Sequence, residues 1–161
     1  MKLFASALSF FLLCSTASNC QLLTSAYTNA TTEFTDTGLA LFIKANQSLS
    51  GSCNLTYKGT ATTAAPILQF TGPASPTTAT ASLNETLTSG GSPTFYSAST
   101  TGKTFAIGLG APAIVSTATD MPITLDWSVV NGANAGPITL QVKSNGVGTV
   151  TLEAGSSCVV N

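Results

Sequence analysis

In the stretch ITLDWSVV, residues 123–130, apolar and polar residues alternate strictly from Ile123 to Val129. Successive side chains of a β-strand point to opposite sides of a sheet, so Ile, Leu, Trp and the first Val share one face and Thr, Asp and Ser the other. This period of two predicts a strand with one face in the core and the other in solvent. Trp127 belongs to the apolar set, and we therefore predict that its ring lies in the core rather than on a binding surface.

The same pattern recurs along the chain in short, threonine-rich segments that are separated by Gly, Pro, Asn and Ser. The predicted strands are residues 38–45, 50–60, 66–71, 78–88, 94–98, 103–109, 113–118, 123–130, 137–143 and 147–154. Their spacing of about 8 to 14 residues is typical of a β-sandwich. We predict an all-β fold, a single sandwich (immunoglobulin-like or similar) of about 8 to 10 short antiparallel strands.

The turn SNG, residues 144–146, sets the register of the last predicted hairpin. A two-residue turn would place apolar residues opposite threonines. A three-residue loop with its glycine in the left-handed conformation instead places Leu140 opposite Val150. We predict the second register, because it alone gives one continuous apolar face.

Residues 1–20 have the layout of a secretory signal peptide. Lys2 supplies a positive charge, an apolar run extends from Leu3 to Cys14, and small residues follow it. The run is shorter than the roughly 20 residues that a transmembrane helix needs. We predict cleavage between residues 17 and 20, which leaves 21–161 as one secreted, extracellular domain with no membrane insertion.

The cysteine count depends on where the signal peptide is cleaved. Cys14 is lost with the signal, and cleavage after Cys20 leaves one pair in an oxidising compartment. We predict a disulfide between Cys53 and Cys158, which closes a loop of about 105 residues and contributes about 4 to 5 kcal/mol in the chain-entropy model. If Cys20 is retained, the alternative is a Cys20–Cys158 bond with Cys53 buried as a free thiol.

Four asparagines stand in acceptor sequons for N-glycosylation, namely Asn29, Asn46, Asn54 and Asn84. Together with the signal peptide, they predict an N-glycosylated protein with at least two occupied sites. Alternation in the predicted strand 50–60 places Cys53 inward and Asn54 outward, which suits a disulfide and a glycan respectively.

The charge inventory excludes several kinds of chemistry. The 161 residues include five lysines, no arginine and no histidine, and the net charge is −1. Without histidine the chain cannot form a Ser/His/Asp site, a His-ligated metal centre or an imidazole proton shuttle. Without arginine, and with an isoelectric point near 5.0, binding of nucleic acid is not expected.

The carboxylates are the remaining candidates for acid–base catalysis, and they are Glu33, Asp36, Glu85, Asp120, Asp126 and Glu153. A glycosidase needs two carboxylates about 5 to 10 Å apart across a cleft, and no spacing here singles out a pair. Alternation places Glu85 on an apolar face, where it needs a partner or a shifted pKa, unless a strand edge turns it to water. We therefore predict no catalytic residues and no enzyme activity. We also predict no metal site, because the chain lacks the spacing of an EF-hand.

Aromatic rings are the candidates for contact with a glycan, and they include Tyr27, Tyr57, Phe95 and Tyr96. Phe95 and Tyr96 are adjacent in a predicted strand, so one of them must leave the core. We predict that Tyr96 is the exposed ring. A threonine ladder for ice binding would need a fixed repeat, which the chain lacks.

The residues favour a non-catalytic role outside the cell. In composition and layout the chain resembles small secreted glycoproteins of fungi and similar eukaryotes, which populate cell walls or act on hosts as elicitors and effectors. The resemblance implies a protein that acts through its surface, as a wall component or as a virulence factor that a host perceives, including one that induces cell death. The expected partner is a cell-wall polysaccharide or a host surface receptor, without a cofactor. A carbohydrate-binding module or lectin, and a glycoside hydrolase with a carboxylate pair, are the alternatives.

Overall fold

The structure is a computed structural model that describes the backbone of residues 20–89, 92–102, 109–110 and 120–161 and the side chains of residues 20–83 and 120–161. The predicted signal peptide before Cys20 and the strand predicted at 113–118 lie outside the described residues. The strand predicted at 103–109 lies outside them too, apart from its last residue.

The described residues form two antiparallel β-sheets that face each other as a sandwich. The strands are β1 (Cys20–Leu22), β2 (Tyr27–Asn29), β3 (Thr35–Ile43), β4 (Ser48–Gly59), β5 (Pro66–Thr71), β6 (Thr78–Ser89), β7 (Ser92–Gly102), β8 (Leu109–Gly110), β9 (Met121–Val130), β10 (Gly136–Ser144), β11 (Val150–Leu152) and β12 (Ser157–Val160). The predicted all-β sandwich of antiparallel strands is therefore confirmed. No helix in the described part of the chain has the length and hydropathy to span a bilayer.

The larger sheet has the order β1-β12-β4-β9-β6-β7, with β11 beside β4 and β2 beside β11. The smaller sheet has the order β3-β10-β5-β8. Alternation decides which side chains face inward: in β9 every second residue is buried, and Trp127 is 5% exposed, so its predicted place in the core is confirmed. The largest fully buried side chains are Ile43, Leu55, Tyr57, Leu68, Leu83, Ile123, Leu125, Ile138, Leu140, Val142 and Leu152.

The predicted strand boundaries agree best for β5 and less well for β3. The bounds of β5 are those predicted, whereas β3 begins at Thr35 rather than at Gly38. Gly38 has a φ of +89° and lies inside β3, where the register with β10 shifts. A glycine that forms a bulge within a strand was thus interpreted as the strand's beginning.

The prediction that residues 137–143 and 147–154 pair as a hairpin is wrong, because the corresponding strands, β10 and β11, lie in different sheets. Leu140 lies opposite Phe70 in the smaller sheet, and Val150 lies opposite Gly59 in the larger one. Both strands present an apolar face to the same core, and alternation cannot distinguish strands that pair within one sheet from strands that pack across two. The segment between them crosses from sheet to sheet through Gly146, whose predicted positive φ is confirmed at +91°.

Candidate functional site

The disulfide joins two strands of the larger sheet on its inner side. Cys53 in β4 and Cys158 in β12 are directly opposite in the register, with their Cα atoms 4.0 Å apart. The predicted Cys53–Cys158 pairing is confirmed, and the alternative Cys20–Cys158 pairing is wrong. Cys20 is itself disulfide-bonded, and no described cysteine carries a free thiol. Asn54, the neighbour of Cys53, faces outward and is exposed, as the alternation predicts.

Asn29, the first predicted glycosylation site, is buried and holds three segments together. It is 4% exposed. Its Nδ2 donates to the carbonyl oxygen of Val142 at 2.8 Å, to Thr35 Oγ1 at 2.8 Å and to the carbonyl oxygen of Glu33 at 3.0 Å. Its Oδ1 accepts from the backbone nitrogen of Thr31 at 2.6 Å. An N-linked glycan occupies that same nitrogen, so this geometry argues against the predicted glycosylation of Asn29.

The other sequons occupy different places. Asn46 lies in the turn between β3 and β4, where it is exposed and has a φ of +56°. Asn54 and Asn84 both lie opposite Thr124 in the register, so they stand in one row of the larger sheet, on either side of β9. The side chain of Asn84 lies outside the described residues. Glycosylation of Asn46, Asn54 and Asn84 stays a prediction.

The outer face of the larger sheet is rich in hydroxyl groups. Ser50, Ser128 and Thr80 stand in one row, and the hydroxyls of Thr80 and Ser128 lie 2.5 Å apart. We call this surface the hydroxyl face, and its described outward side chains in β4, β6 and β9 are Ser48, Ser50, Ser52, Asn54, Thr56, Lys58, Thr78, Thr80, Ser82, Pro122, Thr124, Asp126, Ser128 and Val130. Hydroxyl groups here take the place of the mixed charges that cover most soluble proteins.

The outer face of the smaller sheet carries a chain of side-chain hydrogen bonds across β5, β10 and β3. Gln69 Nε2 donates to Gln141 Oε1 at 2.7 Å, and Gln141 Nε2 donates to Asp36 Oδ1 at 2.6 Å. These residues lie opposite one another in the strand register. We call this surface the amide face, and its described side chains are Asp36, Ala40, Phe42, Ile67, Gln69, Thr71, Pro137, Thr139, Gln141 and Lys143.

Phe42 is the most exposed large apolar residue of the described chain, at 66% of its surface. It lies on the amide face opposite Pro137. Sequence reasoning missed it, although β3 contains the signal. Leu39, Leu41 and Ile43 alternate inward along β3, and Phe42 is an apolar residue at an outward position between them.

The aromatic residues named as candidates for glycan contact lie elsewhere. Tyr57 is fully buried, and Tyr27 is half-buried with its hydroxyl donating to Thr35 Oγ1 at 2.5 Å. The side chains of Phe95 and Tyr96 lie outside the described residues. The register places Tyr96 directly opposite Glu85, and Glu85 opposite Ile123. The two residues that the sequence singled out are thus neighbours on adjacent strands, and their predicted orientations stay predictions.

The described carboxylates lie at the surface or are bonded to other side chains. Glu33, Asp120 and Asp126 are exposed. Glu153 Oε1 lies 2.6 Å from Lys58 Nζ. The hydrogen bond to Glu153, together with the charge of that carboxylate, raises the pKa of Lys58 above its usual 10.5. Within the described ranges, no three Asp, Glu, His or Cys residues group closely enough to hold a metal ion.

A small cavity lies between the sheets beside Trp127. It measures about 20 Å³ and is lined by Phe70 and Ile138 from the smaller sheet and by Ala79, Ala81 and Trp127 from the larger one. Its volume suits about one water molecule, whereas pockets for organic ligands usually measure about 300 to 1,000 Å³. The cavity is therefore a packing feature, and the two outer faces are the candidate functional surfaces.

The comparisons with known proteins add no function. No family model matches the chain, and no curated protein matches it. Among solved structures, the chain is similar to one described as "Structure of infectious bursal disease virus Gx strain", with 11% identity and a TM-score of 0.26. The match covers 88% of this chain and 40% of that chain, so this chain spans less than half of its length. A TM-score this low carries no structural or functional argument.

Proposed function

We propose that the protein is a secreted, N-glycosylated and non-catalytic β-sandwich that acts through its surface. It serves as a component of a cell wall or extracellular matrix, or as an effector or elicitor that a host perceives. The observation that carries the proposal is the arrangement at residues 53 and 54 of β4. Cys53 points into the core and forms a disulfide, and Asn54 points into solvent within a sequon. A buried disulfide and an accessible sequon are both typical of proteins that mature in an oxidising, secretory compartment.

A role without catalysis fits the surface chemistry. The described polar groups of the hydroxyl face are neutral apart from Asp126 and Lys58, and the polar chain on the amide face ends at a single carboxylate, Asp36. Hydroxyls and amides bind other molecules through hydrogen bonds, but without a neighbouring base they supply neither an activated nucleophile nor a general base. The surface is suited to contact rather than to turnover.

Secretion of the full chain from a eukaryotic host tests the first half of the proposal. We expect the protein in the medium or the wall fraction, with a mass that falls on N-glycosidase treatment and a Cys53–Cys158 peptide seen only without reductant. Retention inside the cell with reduced, unmodified residues would overturn the proposal.

Two assays test the surface role. The purified protein is infiltrated into host tissue, and the gene is deleted and wall integrity is measured. We expect a host response in the first assay or a weakened wall in the second. A secreted, correctly folded protein that produces neither effect would contradict a role at the wall or the host surface.

A further inference from the structure

We infer that the amide face is a binding site for a neutral polysaccharide chain, with the Gln69–Gln141–Asp36 row as its polar centre and Phe42 as its apolar contact. The inference rests on the proposed extracellular role and names the ligand class for it. Four features of the two sheets carry it, namely the distribution of sequons, the ordering of the amides, the exposure of Phe42 and the balance of charge.

None of the four sequon asparagines stands on β3, β5 or β10, the strands of the amide face, although Asn46 lies in the turn that follows β3. Asn54 lies on the hydroxyl face, and Asn84 stands in the same row of that sheet across Thr124. Adjacent strands are about 4.8 Å apart, so the two asparagines are separated by about 10 Å. Glycans at these positions would cover the hydroxyl face. None of the described side chains that define the amide face belongs to a sequon asparagine, so no predicted glycan is attached to these positions.

The amides of the amide face are held in position before a ligand arrives. Gln141 is fixed on both sides, because its oxygen accepts from Gln69 and its nitrogen donates to Asp36. Each glutamine amide has two N–H groups and each oxygen two lone pairs, so donors and acceptors remain for a ligand. Ordered side chains lose less entropy on binding. A row of fixed groups that both donate and accept matches the hydroxyls of a sugar, which do the same.

Phe42 supplies an apolar contact on the same face. Its ring is 66% exposed, and Pro137 lies opposite it. An aromatic ring offers a large, rigid surface at low cost in conformational entropy. Asp36 and Phe42 are both outward residues of β3, and their separation along the strand is at most about 20 Å at about 3.3 Å per residue. An extended ligand with several sugar units matches a span of this order.

The charges of the amide face select a neutral ligand. Asp36 and Lys143 are the only charged residues among its described side chains, and they have opposite signs. Lys143 Nζ lies 4.5 Å from the ring centroid of Phe34, over its face. This contact holds the ammonium group close to the protein. The described side chains of the face therefore carry no net charge that would attract an acidic or a basic polymer.

The test is binding of the secreted, glycosylated protein to insoluble β-glucan, chitin and cellulose, with an anionic polysaccharide as the comparison. We expect retention on at least one neutral polymer and weaker retention on the anionic one. Phe42→Ala and Gln141→Ala should each weaken binding at least about tenfold, the loss typical of a central contact residue.

Matched substitutions serve as controls. Ser52→Ala and Ser128→Ala change the hydroxyl face, and Val147→Ala removes an exposed apolar residue outside both faces. We expect all three to bind as the natural protein does. Thermal unfolding of each variant shows whether it is folded. Because Phe42 is exposed, we expect Phe42→Ala to fold as the natural protein does.

The inference would be overturned if the protein bound no neutral polymer or preferred the anionic one. It would also be overturned if Phe42→Ala and Gln141→Ala bound as tightly as the natural protein. Loss of binding in the hydroxyl-face variants would show that the site lies on the larger sheet and would also overturn the inference. These outcomes are separate from the proposed function. A protein that is secreted, glycosylated and active at the wall or on a host, but binds no polysaccharide, refutes this site alone.

Discussion

The hydroxyl face and the amide face lie on opposite sides of one sandwich, and the same alternation of residues builds both. On the hydroxyl face, short side chains bond locally, as Thr80 and Ser128 do, and sequon asparagines share the row of Thr124. On the amide face, long side chains form a continuous chain of hydrogen bonds that ends at Asp36, beside an exposed aromatic residue. The alternation of buried and exposed residues is enough to locate both surfaces. The difference between them lies in the hydrogen bonds among their side chains, which the alternation does not reveal.

The largest expected effect comes from removing the Cys53–Cys158 disulfide of the larger sheet. Replacing both Cys53 and Cys158 by serine should lower the free energy of unfolding by about 4 kcal/mol, because the unfolded chain regains the freedom of a 105-residue loop. Urea unfolding measures the loss. Hydrogen exchange should rise more in β12 than in β10, since the disulfide lies in the larger sheet. Equal loss of protection in both strands would show that the two sheets do not differ in this way.

Asn29 and Asn54, the two strand sequons whose side chains the structure describes, sharpen the comparison further. Asn29→Ala should lower the free energy of unfolding by about 2 kcal/mol, because it removes bonds to Val142 and Thr35 and leaves buried partners unsatisfied. Asn54→Ala, at an exposed position, should change it by less than about 0.5 kcal/mol in protein without glycans. Both values come from urea unfolding. A similar loss in the two variants would contradict the assignment of Asn29 to the core.

The smallest effect concerns the ion pair between Lys58 and Glu153. The bond to Glu153 raises the pKa of Lys58 in the folded protein, so the pair stabilises the fold from neutral pH up to the usual lysine value of 10.5. The stabilisation is lost as the pH rises through the higher folded value. The difference in unfolding free energy between the natural protein and Lys58→Met should therefore shrink above that pH. A difference that stays constant into the alkaline range would show that the pair contributes nothing.

Much of the fold follows from the sequence, because burial on one side of a sheet imposes a period of two. This period predicted β9, the inward position of Trp127 and the opposite orientations of Cys53 and Asn54. It did not predict that Leu140 and Val150 belong to different sheets, because the period is the same whether strands pair or pack face to face. The pairing of strands depends on contacts between distant parts of the chain, which a local pattern does not contain.

The candidate surfaces were less accessible to sequence reasoning. The sequon rule treats Asn29 and Asn54 alike, and only the fold shows that one amide bonds to Val142 in the core while the other faces solvent. The row of Gln69, Gln141 and Asp36 joins residues that are distant in sequence, so no local sequence pattern predicts it. Phe42 was within reach, since an aromatic residue at an outward position of an alternating strand departs from the pattern.

Site-resolved glycopeptide mass spectrometry of the secreted protein tests the central claim most directly, because it distinguishes the buried sequon asparagine, Asn29, from the exposed one, Asn54. The account predicts that Asn54 is occupied and that Asn29 is bare, in molecules that retain the Cys53–Cys158 disulfide. Occupancy at Asn29 in folded, disulfide-bonded protein, with Asn54 unmodified, would contradict it.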